Sequence, residues 1–109
     1  MIDFEDFEKV DIRSGTITGA EINDKARKPA YVLRINFGEL GEKVSSAQIR
    51  ENYRPDDLIG MQIVAVVNFP AKRIAGVKSE VLVLGALDEQ QGTVLLTTEK
   101  EVENGSRIA

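Results

Sequence analysis

Between residues 31 and 37 the chain alternates: Tyr31, Leu33, Ile35 and Phe37 hold every second place, with Val32, Arg34 and Asn36 between them. Side chains two apart share one face of a strand, so this run is a strand with one apolar face to bury. The rest of the chain must supply the cover. Val10–Ile22 reads as a long first strand, with Gly15 and Gly19 marking a bulge or a sharp bend. Lys43–Ile49 is a third strand, polar and small on one side. Gln62–Val67 is a fourth, almost wholly apolar, so both faces are expected to be buried. Val81–Leu84 and Thr93–Thr97 complete the strand-like runs.

Helix is expected in two places. Residues 3–9 open with Asp3 as a cap and carry Glu5 and Asp6 where the helix dipole favours anions. Phe4 and Phe7 share one face of that helix; they either plug the end of the chain's own core or form a subunit contact. The segment 50–60 is irregular or briefly helical, with Pro55-Asp56-Asp57 as turn and cap and Gly60 as stop. The tail from Glu99 to Ala109 is polar, with a turn at Asn104-Gly105. Short strands bent by glycine, in 109 residues, point to a small barrel. The order of elements resembles an OB-fold. The expected class is therefore all-β: a five-stranded barrel with a short N-terminal helix and a C-terminal strand and tail, in a single domain over residues 1–109.

The chain has no Cys and no His, which removes disulfides, thiolate chemistry, Cys/His metal ligation and the usual acid–base side chain near neutral pH. There is no Walker spacing for nucleotide phosphates. Asp56 and Asp57 are adjacent after Pro55 and read as a turn, and nothing specific supports a nucleophile built from Ser45 and Lys43. No catalytic residue, metal or cofactor is expected. Met1 is followed by acidic residues, and no apolar run approaches the roughly 20 residues of a membrane span. Asn104-Gly105-Ser106 is accordingly read as a turn and not as a glycosylation site. A cytoplasmic protein without membrane insertion is expected.

The formal net charge is -4, but the charge is uneven: residues 1–24 carry -5, residues 25–78 carry +5 and residues 79–109 carry -4. A local positive face can exist on an acidic protein. The segment Asn68–Glu80 lies between two strand-like runs and holds Lys72, Arg73 and Lys78, with Phe69 and Pro70 ahead of them. This composition suits a binding loop held by rigid strands. The three cations are either phosphate or carboxylate ligands or a solvated loop. Phe69 is either the floor of an apolar pocket or a stacking platform for a base, and Asn68 a turn residue or a ligand donor. Ser45, Ser46 and Gln48 offer hydroxyls and an amide on the usual binding face of such a barrel, or a polar strand facing water. Arg34, opposite in face to Leu33 and Ile35, extends the basic surface.

Three blocks carry a resemblance. They are Phe7-Glu8-Lys9-Val10-Asp11-Ile12-Arg13-Ser14-Gly15, Ser45-Ser46-Ala47-Gln48-Ile49, and Val66-Val67-Asn68-Phe69-Pro70-Ala71-Lys72-Arg73-Ile74-Ala75-Gly76-Val77-Lys78-Ser79-Glu80-Val81-Leu82-Val83-Leu84-Gly85. With them the chain resembles the tRNA-binding OB-domain family, and within it the stand-alone CsaA-type secretion chaperones. The resemblance implies a cytoplasmic homodimer that binds unfolded or precursor polypeptides and keeps them export-competent without ATP. It also implies, as the alternative, tRNA or structured RNA as the ligand of the same face. Dimer contacts flank the barrel in that family, which points here to Phe4, Phe7 and the C-terminal strand and tail. The loop at 68–74 departs from the tRNA-binding pattern: it is less basic, and Phe69 and Pro70 replace polar or charged character, which favours a peptide.

Overall fold

The computed structural model describes residues 1–109. Helix α1 spans Phe4–Glu8 and begins with a capping box, in which the Asp3 N–H donates to the Asp6 carboxylate at 3.0 Å. It buries none of its residues within the chain. The Phe4 and Phe7 rings lie 6.4 Å apart on the outside, so neither plugs the core.

Five strands form the main sheet: β1 (Ile12–Ile22), β2 (Tyr31–Asn36), β3 (Glu42–Ala47), β4 (Gln62–Val66) and, after the two-stranded hairpin described below, β7 (Leu82–Val83), in the order β3-β2-β1-β4-β7. β1 serves two partners. Its first part pairs with β4 and its second with β2, and Thr16 takes part in both ladders. The pairing register shifts between Ile17 and Gly19, so the bend expected from the glycines is a bulge at that point. Gly15 answers a packing need: a Cβ there would lie 2.7–2.8 Å from the side chains of Ile35 and Phe37.

The barrel closes where β3 meets residues 79–81. The Glu80 N–H donates to the Val44 carbonyl at 2.8 Å, the Val44 N–H to the Glu80 carboxylate at 3.2 Å, and the Ser46 N–H to Ser79 Oγ at 3.0 Å. The result is a nearly closed five-stranded antiparallel OB-type barrel, as the strand order implied. Helix α2 (Pro55–Leu58) lies between β3 and β4 in sequence and drops Leu58, fully buried, into the core with Ile17, Leu33, Ile35, Phe37 and Ile63. Ile63–Val66 are all buried, as expected for so apolar a strand, while Gln62 and Val67 at its two ends are half-buried. The tail runs back along the first part of β1: Ser14 donates to Ser106, Gly105 to Ser14 and Ile108 to Ile12, at 2.8–2.9 Å. That stretch of tail backbone is therefore engaged within its own chain. No helix is long and apolar enough to cross a membrane.

Two hairpins depart from the expected loops and ends. Residues 68–80 are not one loop: β5 (Lys72–Ile74) and β6 (Val77–Ser79) pair across a tight turn at Ala75-Gly76. Both turn residues have positive φ, 47° and 83°, the geometry that matches the twist of a two-residue hairpin. Ala is uncommon in that conformation, so the turn lacks the Asn-Gly or Asp-Gly signature. The second hairpin joins β8 (Gly85–Asp88) to β9 (Gly92–Leu95). β8 had no sequence signal of its own, since Gly85-Ala86-Leu87-Asp88 neither alternates cleanly nor favours β structure.

Candidate ligand-binding trough

The alternation of β3 divides its side chains. Ser45 pairs in register with Leu33, an inward position, and is buried; Ser46 pairs with Val32 and faces out. Beyond the strand, Gln48 continues the Ser46 face and is exposed. The β5–β6 hairpin divides in the same way. Lys72 and Ile74 face the Ser46 side, while Arg73 and Lys78, directly opposite one another, occupy the other face.

Three adjoining hollows follow from this placement. The first, of about 230 Å³, is lined by Phe69, Pro70, Ile74, Val81 and Leu82, with Ser46, Lys72, Ser79 and Glu80 as its polar residues. That is below the roughly 300–1,000 Å³ usual for a drug-sized or cofactor ligand, and it suits an individual side chain better. The second shares Ser46 and Ile74 with the first and adds Lys25, Arg27, Lys28 and Gln48. The third shares Lys28 and Gln48 with the second and adds Arg50 and Glu51. Together they make one trough along the outer side of β3, apolar at one end and cationic over the rest. The three ion pairs of the fold, Lys9–Asp6, Arg13–Asp11 and Arg34–Glu21, all lie elsewhere, so the cations of the trough are unpaired.

The sequence matches the family described as "Putative tRNA binding domain" over residues 12–107. The chain belongs to the tRNA-binding domain family. Its likeness to solved structures runs through its whole length: 59% identity and a TM-score of 0.95 with the chaperone CsaA of Bacillus anthracis, covering 100% of this chain and 99% of that one. With the CsaA chaperone protein of Picrophilus torridus it shares 52% identity at a TM-score of 0.94, over the full length of both chains. It is also 36% identical to the methionine–tRNA ligase of Methanococcoides burtonii over 108 residues, or 99% of this chain. The chain spans only 16% of that ligase.

Within this tRNA-binding domain, the residues singled out from sequence separate. Ser46, Gln48, Phe69 and Lys72 converge on the trough. Ser45 does not: its hydroxyl donates to the Val81 carbonyl at 3.0 Å inside the barrel, where no ligand on the outer face reaches it. Asn68 is also occupied. Its side chain donates to the Lys9 carbonyl at 2.8 Å and accepts the Asp11 N–H at 2.9 Å, tying the segment after α1 to the start of the binding segment. Arg34 lies on the outer face, held to Glu21 at 3.2 Å, and lines none of the three hollows. Tyr31 is a core residue whose hydroxyl donates to the Tyr53 carbonyl at 2.6 Å, as its register required.

Lys25, Arg27, Lys28 and Arg50 were missed. The available signal was three cations in four positions, with no anion among them, in the loop joining the first two strands. Loops at that mouth of an OB barrel frame the ligand face.

Asn68→Ala removes two side-chain bonds to backbone and is expected to cost about 1–3 kcal/mol, summing two bonds of typical net strength. The change should be local. Hydrogen exchange at the Asp11 amide, which loses its acceptor, should accelerate well before the amides of β4. Unchanged protection at Asp11 would show that the clamp is dispensable.

Proposed function

We propose that this protein is an ATP-independent molecular chaperone with a role in export, which binds unfolded or precursor polypeptides as a cytoplasmic homodimer. The observation that carries the reading is the apolar hollow of Phe69, Pro70, Ile74 and Leu82 on an otherwise polar trough. Phe69 and Leu82 are about half exposed, at 52% and 49%, so the hollow is lined by side chains with apolar surface still to bury. Burying one aliphatic side chain there gains about 1.5–3 kcal/mol, hardly screened by salt. The full-length likeness to proteins described as chaperones supports the same reading.

A second reading, binding of tRNA or structured RNA on the same face, is favoured by the family match and by the unpaired Lys25, Arg27, Lys28, Arg50 and Lys72. If all five met phosphates, the logarithmic salt slope would be about -4.

Fluorescence anisotropy with a labelled unfolded peptide and a labelled tRNA, at low and at physiological salt, separates the two readings. The chaperone reading expects peptide binding that persists in salt. It also expects Phe69→Asp with Ile74→Asp to weaken that binding at least tenfold, with the fold intact by circular dichroism. Peptide binding unaffected by the double substitution, or tRNA binding alone, would remove the reading.

A further inference from the structure

Resting on the chaperone reading of the trough, we infer that the site selects extended client segments with an apolar side chain at one position and carboxylates two and four residues away on the same side. The spacing comes from β3 and the residue that follows it. Ser46 stands at the border of the first and second hollows, and Gln48 at the border of the second and third. They are two residues apart, about 6.6–7 Å along an extended chain. An extended client lying beside them repeats its same-side positions at that interval, so positions i, i+2 and i+4 fall in the three successive hollows.

The chemistry of each hollow then assigns the side chains. The first takes the apolar anchor against Phe69 and Leu82. The second presents Lys25, Arg27 and Lys28 with no carboxylate in its wall. The third adds Arg50, and its one carboxylate is Glu51. Four cations against one anion, none of them in an ion pair of the fold, fit acidic side chains and repel basic ones. Strand addition does not contribute at Ser46, because its N–H already donates to Ser79 Oγ at 3.0 Å. Recognition therefore runs through side chains and reads position parity. A carboxylate moved by one residue turns to the opposite side of the client and leaves the wall.

The test uses labelled peptides in anisotropy titrations against the full chain. The first carries Leu followed by Glu at the second and fourth positions beyond it. The second has the same composition, with Glu at the first and third positions. The third carries Lys in place of Glu in the first pattern. The reversed order of each is measured alongside, because the hollows fix spacing and not chain direction. The better-oriented first peptide is expected to bind about fivefold tighter than the second, the size of two solvent-exposed ion pairs. The third should be weaker still. In Arg27→Glu with Lys28→Glu, both exposed, the preference should invert in favour of the lysine peptide.

Equal affinity for all three peptides would overturn the inference and leave the chaperone reading standing, as would a charge-swapped variant with an unchanged preference. Absence of binding to every peptide would overturn the chaperone reading itself, and with it this inference. Binding of tRNA by that same preparation would then return the cationic wall to nucleic acid.

Discussion

Replacing Phe37 by Ala should lower the stability of the fold by about 3–5 kcal/mol, the usual cost of truncating a buried aromatic side chain. A domain of this kind has only about 5–15 kcal/mol in total. Phe37 leads the fully buried side chains by volume, and its exposure is 0%. The surroundings have little freedom to collapse into the space it leaves. On one side Gly15 brings the β1 backbone so close that a Cβ would meet the ring at 2.8 Å. On the other, the Phe37 backbone is held by a 3.0 Å bond from its N–H to the Gly41 carbonyl. The turn at Gly105 is packed against the Phe37 carbonyl, with no room for a side chain there. Urea denaturation followed by far-ultraviolet circular dichroism measures the loss, and the midpoint should fall sharply without a large change in slope. A loss under about 1 kcal/mol would mean that the neighbours refill the cavity, against the rigidity argued from these approaches.

That same residue shows what could be read from the chain alone. Phe37 ends the one run whose alternation is long enough to fix both strand and face, and Tyr31, Leu33 and Ile35 are buried while Arg34 and Asn36 are exposed. Where the strands shorten, the signal fades. β5 and β6 have three residues each, too few to establish a period, and their turn is built from Ala75 and Gly76 instead of the usual Asn-Gly. The segment therefore read as an irregular loop with three equivalent cations, although pairing sends Lys72 one way and Arg73 and Lys78 the other. Ser45 and Ser46 are chemically alike and adjacent; only the register with Leu33 and Val32 decides which is buried. The cationic wall is a non-local feature. Lys25, Arg27, Lys28 and Arg50 come from two segments separated by β2 and β3; the antiparallel β2–β3 register brings the first beside Gln48 and Arg50, and the β5–β6 hairpin then adds Ile74.

Asp substitutions at both Phe4 and Phe7 should convert the proposed homodimer into a monomer of about half the mass, the single chain being 12.0 kDa. Helix α1 has five residues, which is far too short to hold its shape in water without packing. Yet within its own chain it buries none of them, and Phe4 is 72% exposed beside Ile2 at 76%. The helix is fixed at its far end, where Asn68 bonds to Lys9 and Asp11, so the aromatic face is presented in a defined direction. A second copy is the occupant that the proposed homodimer supplies. In a two-fold interface each substitution counts twice. With Phe4 72% and Phe7 36% exposed, covering what remains of both rings in both chains contributes about 3–6 kcal/mol, so a loss of association on the order of 1,000-fold is the expected result. Four new carboxylates would also meet in a region where residues 1–24 already carry -5 per chain. Sedimentation equilibrium over a range of concentrations decides it. A variant that stays dimeric would move the interface away from α1, and a wild-type chain that is monomeric throughout would end the homodimer proposal. The Asn68 clamp gives the result a further reach: it joins α1 to the segment that carries Phe69, so a monomeric variant with weakened peptide binding would show that the assembly helps to hold the apolar hollow in shape.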